Sequence, residues 1–175
     1  TEAVPVYISN WAFKVVQPSA TLTTFKGATP TIATAGIMNS ATTIQAQDSC
    51  GSPVATGGDG AKFSVTMLRT SDSISVPVTV VDPSDGTYVL QFTATLVGIY
   101  TVTVRYDNEP INSGNPSFDV EVVPNPNPYP PKCSLTTFPS GYVVGETSSA
   151  AFILRDLYGN TITSNLVTTG TSDPV

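Results

Sequence analysis

The sequence predicts an all-β protein built as an antiparallel β-sandwich of about seven strands, present as tandem modules. Apolar side chains recur at every second position through the middle of the chain, which is the period of a strand with one buried face. Turn residues separate these short apolar runs at the spacing typical of a sandwich. The composition agrees, because the 175 residues include 15 Pro and 13 Gly and only 11% are charged, unlike a helical bundle.

The alternation predicts about seven strands between residues 20 and 123. Each strand would turn a row of apolar side chains toward a core and leave its other face mostly polar. In chain order, the candidate strands are residues 21–25, 43–47, 61–68, 74–80, 88–92, 100–106 and 118–122. The sandwich depends on six side chains that we expect to point inward between two sheets: Tyr88, Leu90, Phe92, Tyr100, Val102 and Val104.

Three residues in and near the turns have specific expected roles. Gly86 supplies the positive φ that a tight turn often needs. Pro77 lacks a backbone donor, so the strand at residues 74–80 is predicted to be an edge strand. Tyr100 lies near the start of the penultimate strand, where its hydroxyl can bond back to the preceding turn.

The chain also repeats itself. The segment TLTTF at residues 21–25 recurs as SLTTF at residues 134–138, and FKVV at residues 13–16 resembles VEVV at residues 120–123. Asp48 matches Asp156 in the pattern of the residues before it. The similar separations of these pairs predict one repeat of roughly 105 to 115 residues.

This repeat divides the chain into four parts. Residues 1–17 are predicted to be the C-terminal strand of a preceding module, and residues 18–124 to be one complete module. Residues 125–131 form a linker rich in Pro and Asn, which we expect to be an extended, fairly stiff spacer. Residues 132–175 are predicted to be the N-terminal part of a following module.

Ordered motifs in the complete module make the prediction more specific. They are DGTY at residues 85–88, GIYTVTV at residues 98–104 and INSGNPSF at residues 111–118. A DLYGN turn follows at residues 156–160, and its Asp and Gly recur within residues 48–52. This set resembles the filamin-type immunoglobulin repeat, which implies an immunoglobulin-like β-sandwich. A cadherin-like module or a bacterial surface repeat is the alternative sandwich fold.

Composition excludes several classes of function. The formal charge is −6 and the pI about 4.3, so the chain lacks the basic face that nucleic acid binding requires. No apolar run approaches the roughly 18 to 20 residues of a membrane span. The absence of His removes the commonest general base and metal ligand. We therefore predict that the chain is not an enzyme and holds no cofactor.

The two cysteines are candidates for disulfide bonds, although not with each other. Cys50 follows the second predicted strand, and Cys133 begins the next module about one domain length away. A disulfide needs α-carbons within about 7 Å, so free thiols or partners outside this chain are favoured. A bridge between neighbouring chains would require an oxidising compartment.

Five acidic residues are weak candidates for a calcium site, because loops after alternate strands share one pole of a sandwich. Calcium prefers several oxygen ligands. The favoured alternative is that the carboxylates cap turns by accepting hydrogen bonds from backbone amides. The candidates are Asp48, Asp82, Asp85, Asp107 and Glu109.

The filamin resemblance implies a groove beside the strand at residues 61–68 and the edge strand at residues 73–81, where a partner peptide adds as a strand. Such binding needs free backbone groups and alternate side-chain pockets. Core packing alone explains the same pattern, with Phe63, Val65 and Met67 facing inward. The candidate residues of this peptide-binding edge are Ser64, Thr66, Leu68, Ser75 and Thr79.

Two functions from different classes follow. The first is a structural module of a cell-surface or extracellular fibre, filament, stalk or adhesin that associates end to end and laterally with other copies or neighbouring modules. Abundant Thr and Ser with few Lys and Arg suit a secreted protein, with O-glycans as compatible modifications. The second is a cytoplasmic, filamin-like cytoskeletal scaffold that captures partner peptides.

Overall fold

The computed structural model describes residues 16–137, 141, 145 and 150–163. They form eleven β-strands and three short 3₁₀ turns, with no α-helix in these ranges. None of the described residues forms a helix long and apolar enough to cross a membrane. The predicted end of a preceding module lies almost entirely outside this part of the chain.

One sheet of the sandwich has four strands. They run in the order β1, β3, β6, β5, and all three pairings are antiparallel. Their bounds are β1 Thr24–Lys26, β3 Asn39–Gln45, β5 Val78–Val81 and β6 Thr87–Phe92.

The second sheet packs against the first and runs in the order β2, β9, β7, β4, with the short β8 pairing to β7. Its strands are β2 Ile32–Thr34, β4 Phe63–Arg69, β7 Gly98–Tyr106, β8 Glu109–Pro110 and β9 Ser117–Val123. The pairing of β2 with β9 is parallel, whereas the other pairings of this sheet are antiparallel. The predicted immunoglobulin-like β-sandwich is thus confirmed, with one parallel pair added.

The core lies between the two sheets, where the alternation predicted it. All six side chains on which the sandwich depends are buried, none of them more than 4% exposed. They belong to one continuous cluster of buried residues that extends from Ala33 to Val122. The Tyr100 hydroxyl donates to the Leu96 carbonyl oxygen at 2.8 Å, as expected for a residue at this sandwich corner.

Some strand boundaries differ from the prediction. The strand β2 was not predicted, because three residues are too few to show an alternating pattern. The segment 74–80 is divided: Ser75 bridges to Leu68 at the end of β4, and β5 begins only at Val78. Since β5 pairs only with β6 among the described strands, the predicted edge strand is present.

The linker differs from the extended spacer predicted for it. Residues Pro130–Lys132 form a 3₁₀ turn, and the Tyr129 amide donates to the Arg155 carbonyl oxygen at 2.8 Å. Two further strands follow, β10 Ser134–Thr137 and β11 Ala151–Ile153, which pair antiparallel. The linker therefore packs against the segment that follows it.

The strand pairings correct the predicted register of the repeat. Phe25 pairs with Ile44 in the first module, and Leu135 pairs with Phe152 in the following segment. Leu135 therefore takes the place of Phe25, whereas the alignment of TLTTF with SLTTF puts Leu135 in the place of Leu22. That alignment was wrong, because repeated Thr residues match in letters without fixing which residues face the core.

Candidate functional site

The candidate site is the contact between the sandwich of strands β1–β9, called the first module below, and the following segment, whose described residues are 132–137, 141, 145 and 150–163. Its centre is the DLYGN turn at residues 156–160, which we call the docking turn. The Asp156 carboxylate is fully buried, and its Oδ1 accepts from the amides of Tyr158 and Asn160, each at 2.9 Å. These bonds close the turn and fix the directions of its side chains.

Asn160 connects the docking turn to the first module. Its side-chain nitrogen donates to the Thr95 carbonyl oxygen at 2.8 Å, and its side-chain oxygen accepts from the Val97 amide at 3.2 Å. Thr95 and Val97 belong to the loop between β6 and β7. Because the Asn160 carboxamide pairs with both a backbone acceptor and a backbone donor, it fixes the orientation of the docking turn on this loop as well as its distance from it.

The linker joins the same network. The Asn125 amide donates to Asp156 Oδ2 at 3.1 Å, and the Asn160 side chain donates to that oxygen at 2.8 Å. Burial alone would raise the pKa of Asp156, but the hydrogen bonds from Asn160, Asn125 and Tyr158 outweigh it and hold that pKa below its usual range. The carboxylate is therefore ionised near neutral pH and holds the linker against the turn.

Gly36 provides room for the docking turn on the other side. It lies between β2 and β3 with a φ of +76°, and a Cβ there would overlap the ring of Tyr158. Its amide donates to the Ala94 carbonyl oxygen at 2.8 Å, which ties two loops of this pole together. A glycine at this position satisfies both the backbone conformation and the close approach of Tyr158.

The first module carries the same turn at its own opposite pole, at residues 48–52. Asp48 Oδ1 accepts from the amides of Cys50 and Ser52 at 2.8 and 2.9 Å, as Asp156 does from its own turn. A cavity of about 430 Å³ lies between this turn and the chain that enters the module, lined by residues 16–19 and 48–50.

Two more of the calcium candidates also cap turns. Asp82 accepts from the amides of Gly58 and Ser84 at 2.6 and 2.8 Å. Asp85 accepts from the hydroxyl and the amide of Thr87 at 2.6 and 2.9 Å, and these bonds hold the pKa of Asp85 below its usual range. The carboxylates thus fix the loops around the DGTY motif.

The remaining two candidates do not complete a metal site. Asp107 occupies the tight turn between β7 and β8 with a φ of 49°, and Glu109 lies on β8. Within residues 16–137 and 150–163, no three His, Cys, Asp or Glu side chains are placed to hold a metal ion. The predicted convergence of five carboxylates is therefore not formed.

Cys50 and Cys133 form no disulfide with each other, and they have different environments. Cys50 is exposed within the turn at residues 48–52. Cys133 is partly buried, and its sulfur accepts from the Arg155 amide at 3.4 Å. In the first module the Thr23 hydroxyl accepts from the Gln47 amide at 3.4 Å in the same way. Cys133 thus occupies a structural position that a hydroxyl also satisfies.

The candidate residues of the peptide-binding edge are distributed over two sheets. Ser64, Thr66 and Leu68 are exposed on β4, and Ser75 is bridged to Leu68. Thr79 is exposed on β5, which belongs to the other sheet. The open edge of β4 is therefore limited to its first residues.

The sequence contained part of the signal for the contact between modules. The DLYGN motif predicted a turn at residues 156–160, but nothing marked that turn as a contact, or Thr95, Val97 and Gly36 as its partners. Thr95 and Val97 contribute backbone groups, which any residue carries. Only the glycine in the β2–β3 loop was a local signal, and short loops often contain glycine.

Comparison with known proteins identifies relatives of this architecture. Residues 16–116 match the family described as the Filamin/ABP280 repeat. The structure is similar to that of the Lin-41 filamin domain, with 21% identity and a TM-score of 0.50, covering 61% of this chain and 96% of that one. No sequence match among curated proteins accompanies these similarities.

Two bacterial proteins share the fold over most of this chain. Invasin, a bacterial integrin-binding protein, is 25% identical with a TM-score of 0.59, and the match covers 87% of this chain and 30% of invasin. The Escherichia coli adhesin FdeC is 20% identical with a TM-score of 0.62, and the match covers 85% of this chain and 45% of FdeC. The chain thus spans less than half of either bacterial structure.

Proposed function

Because the chain belongs to the Filamin/ABP280 repeat family, whose repeats are structural and not catalytic, we propose that it is a module of a cell-surface or extracellular stalk, fibre or adhesin. In this proposal the chain acts mechanically. Successive sandwiches meet end to end and hold a fixed direction, so that the array projects from the surface.

The observation that carries the proposal is the network around the docking turn. Asn160 pairs with the backbone of Thr95 and Val97, and Asp156 accepts from the linker amide of Asn125. A flexible tether between independent domains would not need buried polar groups shared between them. The network supports an array in which each module is fixed to its neighbour.

The location at the surface has separate support. The similarity to invasin extends over 87% of this chain, and invasin is a bacterial integrin-binding protein. The 11% of charged residues and the abundance of Thr and Ser suit a secreted protein. Neighbouring modules and other copies of the chain are the proposed partners, and O-glycans are the proposed modification.

The location is tested on native material. Intact cells are treated with an amine-reactive reagent that does not cross membranes, and the purified protein is then analysed by intact mass with cysteine and glycan mapping. We expect labelling of the lysines without lysis, and sugar mass on Thr or Ser would add to it. Labelling that requires lysis would contradict the surface location and favour the cytoplasmic scaffold.

The second proposed function is capture of a partner peptide at the edge of β4. The supporting observation is that β4 and β5 are the edge strands of their sheets among the described residues. The Val76 amide already donates to the Met67 carbonyl oxygen at 2.9 Å, so a peptide would pair mainly with residues 63–66. Titration of the labelled chain with extended apolar peptides tests this, since binding must shift the amides of β4 first.

A further inference from the structure

The turn at residues 48–52 repeats the backbone hydrogen bonds of the docking turn and the bonds to its Asp Oδ1. The Gly51 amide donates to the Asp48 carbonyl oxygen at 3.0 Å, and Gly159 donates to Asp156 at 3.0 Å. The Asp48 amide donates to the Ser52 carbonyl oxygen at 2.9 Å, and the corresponding bond from Asp156 to Asn160 is 3.0 Å. With the carboxylate bonds described above, the two turns have the same local structure.

The chain that enters each turn is also held in the same way. The Ser19 amide donates to the Gln47 carbonyl oxygen at 2.7 Å, as the Tyr129 amide donates to the Arg155 carbonyl oxygen at 2.8 Å. In both cases the acceptor is the residue directly before the Asp of the turn. The chain that enters the first module is therefore hydrogen-bonded to its turn in the same way as the linker is bonded to the following segment.

The two turns differ in how much of them is covered. Asn160 is buried, at 7% exposure, because its side chain contacts the first module. Ser52, which holds the same position in the other turn, is exposed. The position through which the docking turn contacts its neighbour is therefore exposed at Ser52.

We propose that the turn at residues 48–52 docks on the end of a preceding filamin-type module, as the docking turn contacts the β6–β7 loop of the first module. This inference rests on the tandem array proposed above, and it names the partner of this pole. The partner is another filamin-type module. Its loops that correspond to residues 35–37 and 94–97 contact the turn at residues 48–52. The sequence of residues 1–17, which predicts the C-terminal strand of a preceding module, agrees with this partner.

The substitutions between the turns make the two contacts unequal. Ser52 holds the position that Asn160 has in the docking turn. Its side chain is too short to pair with both a carbonyl oxygen and an amide of the neighbouring loop. Cys50 replaces Tyr158, so the side chain that meets the neighbouring glycine is much smaller. The preceding contact therefore has the same geometry with fewer hydrogen bonds.

The test uses a protein that supplies the missing neighbour. Residues 1–123 are fused directly to residues 14–175, so that Ser19 of the second copy stands as far after Val123 as Tyr129 does in the natural chain. Both copies carry Cys50→Ser, and the second copy also carries Cys133→Thr, because Thr23 holds the corresponding position in the first module. A single thiol is introduced by Ser52→Cys in the second copy, and its alkylation rate is compared with that in the unfused chain carrying the same substitutions.

We expect the thiol to react about tenfold more slowly in the fusion, since docking covers this position. The matched control is Ser49→Cys, because the corresponding Leu157 is 54% exposed although its turn is docked. That thiol must react at the same rate in both proteins. The proposal would be overturned if the Ser52→Cys thiol reacted at the same rate in the fusion and in the unfused chain. Equal slowing of the Ser52→Cys and Ser49→Cys thiols in the fusion would also overturn it.

A second variant keeps the test informative if the introduced thiol disturbs folding. Ser52→Asn in the second copy supplies the missing carboxamide, and it should slow hydrogen exchange at the Val97 amide of the first copy. Ser52→Ala should not, and equal exchange in the two variants would contradict the inference. Both tests use purified protein, so their failure is distinct from failure of the surface labelling experiment.

Discussion

The side chain of Asn160 donates a hydrogen bond to the carbonyl oxygen of Thr95 at 2.8 Å, across 65 positions of sequence. Thr95 belongs to the first module, and Asn160 to the segment that follows the Pro-rich linker. The bond therefore connects two units that the sequence separates by a spacer. Through this bond, the loop between β6 and β7 of the first module binds the docking turn of the following segment.

Shortening this side chain should release the loop between β6 and β7. Asn160→Ser removes the acceptor of the Val97 amide, so we expect hydrogen exchange at that amide to become faster by about tenfold or more. The control is Asn115→Ser, in the exposed loop between β8 and β9. Unchanged exchange in Asn160→Ser would mean that the bond does not hold the contact in solution.

Gly36 should be needed for the contact, and not only for its backbone conformation. Gly36→Ala and Gly27→Ala both place Ala at a positive φ, of +76° and +81°, so each should destabilise the module by about 1–2 kcal/mol. A Cβ at Gly27 meets nothing within 4 Å, whereas one at Gly36 overlaps the Tyr158 ring. Only Gly36→Ala should therefore change the NMR signals of Tyr158. Equal changes in both variants would show that strain alone is responsible.

Two buried tyrosines should respond differently to loss of the hydroxyl. Tyr100→Phe leaves the Leu96 carbonyl oxygen without its 2.8 Å donor, which should lower the free energy of unfolding by about 1–2 kcal/mol. The Tyr88 hydroxyl is buried without a hydrogen-bond partner in the described part of the chain. Tyr88→Phe should therefore be neutral or stabilising. Denaturant unfolding of both variants measures this, and a larger loss for Tyr88→Phe would contradict the assignment of the corner.

The contact between modules should weaken in acid. The pKa of Asp156 lies below its usual range in the folded chain, so folding favours the ionised form. The stabilisation is complete above the usual aspartate pKa of about 3.9 and is lost as the pH falls through the lower folded value. Asp156→Asn should be less stable at pH 7 and lose less stability on acidification. Unfolding curves at pH 7 and at about pH 2.5 test this, and parallel losses in both proteins would contradict it.

The sandwich was predictable because its information is local. Tyr88, Leu90 and Phe92 alternate with less buried residues on one strand, and this period sets both the strand and its inner face. The position of Tyr100 near the start of β7 followed from the same pattern. The filamin-type motifs then indicated which kind of β-sandwich these strands form, which alternation alone does not give.

What the sequence did not indicate depends on distant backbone groups. The parallel pairing of β2 with β9 joins Ile32 to Glu121, and a three-residue strand carries no detectable period. The repeat was placed out of register at its first strand, because TLTTF and SLTTF match in letters while Phe25 matches Leu135 in position. The contact of Asn160 with Thr95 uses a carbonyl oxygen, which has no sequence signature.

The most direct test of the end-to-end contact is ¹⁵N relaxation of the intact chain. Amides of residues 18–124 and of residues 150–163 report the rotational correlation times of the two units separately. We predict one common correlation time, as for a rigid pair, and a shorter time for residues 150–163 in Asn160→Ser. Two independent correlation times in the unmodified chain would contradict the account, since the modules would then be joined only by a flexible tether.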